Sequence, residues 1–258
     1  MIGIRCTDGV VLGVEKLIRN KMLVTKSYRR IFTTSMHSGM AIGGLLPDGR
    51  QLVNRVRDES SSYKTNFGIR IPGPPLCADP CTLSLSPSLC PALTALLCIG
   101  SVLANRLAMY VHAYTEYWHL RPFGVSSLLA VYDESECGPQ LYCVEPSGEC
   151  LRYYGVAVGK NAQAAKVQLE KLNFDSLSCR EAANVVAEII YSLHDEVKDK
   201  PFEMELSWIC DDSDRKHRLV PQSVFDEAVA AGLKAAEDED SDVEEEEEDE
   251  DMVDQANQ

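Results

Sequence analysis

Apolar and polar positions alternate from the first residues: MIGIRC, a Thr7-Asp8-Gly9 turn and then VVLGVEKL read as two strands of a hairpin. RRIFTTS and HSGMAIGGLL predict two more strands, joined near Ser35 to His37 and stopped by Pro47-Asp48-Gly49. From Asp48 to Phe67 the apolar residues Leu52, Val56, Tyr63 and Phe67 recur at helical spacing, which leaves Arg50, Arg55, Arg57 and Lys64 for a solvated face. A second helix is predicted over 102–118, VLANRLAMYVHAYTEYW. It stops at Arg121-Pro122, because proline fixes its own backbone and pushes the preceding residue out of the helical region.

Beyond that corner FGVSSLLAVYD, QLYCVEP and ECLRYYGVAVG read as strands, the last two joined by a Pro-Ser-Gly turn. The final third is mostly helical. Ser178 and Glu181 form a capping box in front of a stripe of Ala182, Val186, Ile189, Ile190, Leu193 and Val197. A strand, PFEMELSWIC, and a helix from Pro221 to Ala236 complete the pattern, with Pro221 suited to a first helical turn. Strands in two batches, with a helix pair between them and more helix after them, predict an α+β sandwich with helices outside the sheets. Strict βαβ alternation is absent.

Charge changes this picture in one place. Of 40 Asp and Glu, 14 lie from Glu237 onward, leaving 26 acids against 25 Lys and Arg in residues 1–236. The net charge of -15 therefore belongs to an expected disordered tail, 237–258, and the near-neutral remainder gives no electrostatic case for nucleic acid. Ser241 has acids on both sides and Glu244 three residues on, a context that suits an acid-directed kinase. Such a tail alone also suggests a chaperone for basic proteins. Ten cysteines without an apolar leader suggest reduced thiols, in cytoplasm or nucleus.

Candidate chemistry is thin. Residues 72–99 hold six of the twelve prolines and four cysteines, Cys77, Cys81, Cys90 and Cys98, whose gaps match no zinc pattern. The uncharged run from Leu83 to Ala104 is broken by Pro87 and Pro91, leaving about 13 residues where a membrane span needs roughly 20. No phosphate loop, zincin motif or nucleophile elbow appears, and the histidines at 37, 112, 119, 194 and 217 are scattered.

Six blocks carry a resemblance: IGIRCTDGVVLGVEKL, GMAIGGLLPDGRQL, LANRLAMYVHAYTEYWHLRPFGVS, PQLYCVEPSGE, GKNAQAAK and HDEVKDKPFEMELSW. Together they resemble an alpha-type subunit of the 20S proteasome. The resemblance implies a four-layer α-β-β-α sandwich of the N-terminal-nucleophile hydrolase type over residues 1–236. It also implies a non-catalytic, cofactor-free place in a seven-membered ring with other alpha and beta subunits. Regulatory particles or activators would dock on that ring. By similarity, Arg30 in SYRRIF falls where activator C-termini are received, and Arg121, Pro122 and Gly124 are fold and ring-contact residues. The family's opening stretch has no counterpart before Met1, and residues 73–99 are extra to its pattern. An active N-terminal-nucleophile hydrolase would share the sandwich but needs a nucleophile at the mature start, where none is found.

Overall fold

A computed structural model of the chain describes residues 1–18, 20, 22–24, 26–67, 99–133, 138–194 and 200–237. Strands β1 (Ile2–Arg5) and β2 (Gly9–Leu17) form the expected hairpin, paired from Ile2 with Gly13 to Arg5 with Val10. They join β8 (Gly155–Ala157), β9 (Phe202–Cys210) and β10 (Arg218–Leu219) in one antiparallel sheet of order β10-β9-β2-β1-β8. The second sheet runs β3 (Ile31–Ser35), β4 (Ser38–Gly44), β5 (Val125–Asp133), β6 (Gly138–Val144), β7 (Cys150–Tyr153), each paired antiparallel with the next.

Period-two alternation sorts each strand's side chains into two layers. In β5, Leu128 and Ala130 face one way and Leu129 and Val131 the other. Val10, Leu12, Val14 and Ile209 of the first sheet meet Ile31, Ala41, Leu128 and Leu141 of the second, a layer to which, among the described residues, no helix contributes. The outer face of the second sheet packs on α1 (Leu46–Phe67) and α2 (Ile99–Glu116) through Leu52, Val56, Leu103 and Leu107. The outer face of the first, with Ile4, Val11, Leu206 and Trp208, packs on α3 (Ala162–Glu170), α4 (Cys179–Ser192) and a helix over 222–237, α5. Three apolar layers between four layers of structure make the α-β-β-α sandwich.

The capping box at α4 is present. Glu181 N–H donates to Ser178 Oγ at 3.3 Å, and Ser178 N–H donates to Glu181 Oε2 at 3.0 Å. Ala182, Val186, Ile189 and Ile190 are buried as the stripe requires, while Val197 lies outside the described residues. One expected strand divides. ECLRYYGVAVG was one extended run in the pattern, yet it is β7 in one sheet and β8 in the other, separated by Tyr154. The Tyr154 carbonyl accepts from Arg5 N–H at 2.7 Å, and the Arg5 guanidinium lies over its ring. The chain bends at Tyr154, a single residue between two short strands, and the apolar periodicity of the run carries no sign of it. The α2 helix ends at Glu116, two residues before the expected Trp118, whose side chain is 94% exposed.

His217 is buried between the sheets, with Nδ1 2.8 Å from Thr33 Oγ1 and Nε2 3.1 Å from Ser207 Oγ. Burial pushes its pKa down from 6.5 to about 4. The unfolded chain therefore takes up a proton that the folded chain refuses between those values. The stability this ring contributes is full above pH 6.5 and is lost as pH falls towards 4. We expect unfolding titrations to show that slope, and His217→Gln to flatten it. An unchanged slope in the variant would assign the pH dependence to other groups.

Candidate functional site

Two features of the sandwich bear on function: the corner after α2 and a cavity at the head of β1. At the corner, Arg121 Nη1 and Nη2 donate to Asp48 Oδ2 and Oδ1 at 2.6 and 2.7 Å, a bidentate pair. Gly124 N–H donates to the same Asp48 Oδ2 at 3.1 Å. Asp48 sits in the first turn of α1, where a carboxylate is also favoured by the helix dipole. The Arg121 guanidinium holds this carboxyl at about 2, against 3.8 ordinarily. Pro122, between the end of α2 at Glu116 and the start of β5 at Val125, presents its carbonyl to Arg121 Nη1 at 3.1 Å. Arg121, Pro122 and Gly124 are thus brought together, on a partner that the sequence reading assigned only to a turn and a helix start. The available signal was an acid one residue after a proline at a helix start.

The cavity, of about 290 Å³, is lined by Met1, Glu15, Tyr28, Arg30, Lys160 and Leu193 among others. Here β1 continues its pairing with the chain after β8, Val158 N–H donating to the Met1 carbonyl at 2.9 Å. Arg30 stands at the wall. Its Nη1 donates to the carbonyls of Ile42 and Gly44, both at 3.1 Å, and its guanidinium lies 5.1 Å from the centre of the Tyr28 ring. Its backbone N–H donates to Glu205 Oε2 at 3.0 Å. Glu205 also faces buried Lys16, whose Nζ lies 3.2 Å from Glu203 Oε2 and donates to the Tyr28 carbonyl at 3.1 Å. On the other side Glu15 Oε1 lies 2.9 Å from His194 Nδ1. The arrangement offers fixed charges of both signs. Among the described residues that line it, none is serine, threonine, cysteine or histidine. Sequence reasoning found Arg30 but not Glu15, Lys16, His194 or Glu205, which strand pairing and the packing of α4 bring together.

The remaining sequence candidates fall elsewhere. Glu237, the first residue of the acidic tail, closes α5, and Ser241 with the rest of the tail lies outside the described residues, as do Cys77, Cys81, Cys90 and Cys98. Among the described residues no helix is long and apolar enough to cross a membrane, and the run tested for that above lies mostly outside them.

Two five-stranded antiparallel sheets stacked face to face, with helices on both outer faces, define an α+β sandwich of the N-terminal-nucleophile hydrolase type. The family model described as "Proteasome subunit" matches residues 1–88 and 99–209. The chain belongs to the proteasome subunit family. It is similar to the protein named proteasome subunit alpha type-3 of Spinacia oleracea, 46% identical over 237 residues that cover 92% of this chain and 84% of that protein. The protein of the same name from Arabidopsis thaliana is 45% identical over 238 residues, again 92% and 84%. The probable proteasome subunit alpha type-7 of Schizosaccharomyces pombe is 38% identical over 238 residues, 92% and 83%. The family match omits 89–98, within the segment read as extra to the pattern.

Proposed function

We propose that this chain is a non-catalytic alpha-ring subunit of the 20S proteasome core, a scaffold and gate component for ATP- and ubiquitin-dependent protein degradation. The observation that carries this reading is the likeness to proteasome alpha subunits over 92% of the chain, on the sandwich that the family match requires. The cavity at the head of β1 adds fixed charges of both signs, Glu15, Arg30 and Lys160, that suit recognition of a charged chain end. What the subunit contributes is geometric: lateral contacts with other alpha subunits and axial contacts with beta subunits enclose a chamber that admits unfolded chains.

The tagged chain, expressed in cells and run on a native gel beside an endogenous beta subunit, is expected to co-migrate at full particle size. The isolated chain is expected to release nothing from fluorogenic peptides. A chain that stays free, or that cleaves peptides alone, overturns the reading.

Within this reading Arg30 receives the terminal carboxylate of an activator, by a charge-assisted hydrogen bond that lysine would form with less directional control. Arg30→Ala should weaken activator binding about tenfold, as loss of one such bond does. Equal affinity removes Arg30 from the pocket. The Arg121-Pro122-Gly124 corner keeps a rigid edge for ring contacts. The acidic tail, 237–258, tunes regulator binding, with Ser241 as its phosphorylation site, and the protein works in cytoplasm and nucleus.

A further inference from the structure

A cluster of thiols and a carboxylate lies in the layer between the first sheet and α4, away from the cavity and independent of assembly. Cys6 follows β1, Asp8 lies in the turn before β2, and Cys179 opens α4. Their two sulfurs and a carboxylate oxygen all lie within 4.8 Å of one another. Both cysteines are 2% exposed. Cys210, at the end of β9 and 1% exposed, packs in the same apolar cluster as both cysteines, beside Gly9.

We propose that Cys6, Asp8 and Cys179 form a zinc site that pins the β1–β2 turn to the start of α4. Two thiolates and one carboxylate are a donor set for a borderline-soft cation. Calcium and magnesium take oxygen ligands, whereas zinc accepts both sulfur and carboxylate. Zinc–sulfur bonds of about 2.3 Å in tetrahedral geometry set ligand atoms roughly 3.5–4 Å apart, which small side-chain rotations reach from the separations present. The backbone holds the ligands in place before any ion enters. Thr7 N–H and Thr7 Oγ1 both donate to the Leu177 carbonyl at 3.1 Å, and Cys179 N–H donates to Asp8 Oδ1 at 2.9 Å.

Binding displaces one proton from each of two thiols to the buffer, and the carboxylate brings its charge with it. Cys210 keeps its proton and donates to the Cys179 thiolate, an outer hydrogen bond of the kind that orients metal ligands. Asp8 is only half-buried, which gives the ion a way in. Three free thiols could also pack here as small apolar groups, and the experiment separates that case.

The test uses the full chain, reduced, stripped of metal and shown to unfold cooperatively. Native mass spectrometry after zinc addition should find one zinc bound with loss of two protons. Cobalt should give a thiolate charge-transfer band that zinc abolishes. Cys179→Ser should weaken binding at least tenfold and remove much of the band. Asp8→Asn keeps an acceptor oxygen for the Cys179 amide, so it tests the carboxylate with the fold retained, and it too should weaken binding about tenfold. Absence of zinc on the wild-type chain, equal affinity in the Asp8→Asn and Cys179→Ser chains, or recovery of the protein with a Cys6–Cys179 disulfide would each overturn the proposal.

Discussion

Gly9→Ala is expected to leave little folded protein. Gly9 begins β2 opposite Cys210 of β9, and a Cβ there would overlap the Ile209 carbonyl oxygen and lie 2.8 Å from Cys210 Cα and from Cys179 Sγ. Two of those three neighbours are backbone at the last pair of the β2–β9 ladder, which cannot move without breaking hydrogen bonds there. Relief therefore requires β2 and β9 to part at the end where β9 also carries β10. The cost should exceed about 4 kcal/mol, in the range that buried overlap without an escape produces. Soluble yield and the urea midpoint check it. A variant with the wild-type midpoint would mean that the two strands do not lie this close.

Leu141→Ala should be the next most damaging change, and it comes with an internal control. Leu141 is 0% exposed in the layer between the sheets, and truncation of such a leucine costs about 2–5 kcal/mol through lost contacts and a residual cavity. Opposite it is Gly3 of β1. A Cβ on Gly3 would stand 3.1 Å from both Leu141 δ carbons and 3.2 Å from Leu128 Cδ1. Gly3→Ala alone is therefore overpacked and should cost about 1–3 kcal/mol. With Leu141 already shortened, the added methyl enters vacated space. The double variant should be more stable than the two single losses predict, by about 1 kcal/mol or more in a urea double-mutant cycle. Strict additivity would mean the two sheets do not meet at this pair.

Much of the fold was legible because it is local. The hairpin rests on alternation around Thr7-Asp8-Gly9, α4 on its capping box, and the break between α2 and β5 on Arg121-Pro122, although the helix already ends at Glu116. What escaped was settled by partners far along the chain. The β7–β8 crossing depends on Arg5 meeting Tyr154, and β10 is two residues long, held by Trp208 and Ser207. The α3 helix buries only Ala165 and Leu169, too little for a helical stripe to stand out. At the candidate sites, Arg30 and Arg121 were read from their neighbours in sequence. Glu15, Asp48, His194 and Glu205 became visible only when strand pairing and packing joined positions as much as 179 residues apart.

The two sheets also differ in when they can exist. The sheet of β3 to β7 is drawn from one continuous run, whereas β2 pairs along all nine of its residues with β9, near the other end of the chain. On the ribosome, the first sheet's central strand is made early and its longest neighbour late. Between those events β2 offers an open hydrogen-bonding edge beside the apolar side chains of Val10, Val11 and Leu12, the kind of template that captures a wrong strand. The nascent amino-terminal hairpin is thus the segment most in need of shelter during synthesis, and it is released from that need when residue 210 emerges.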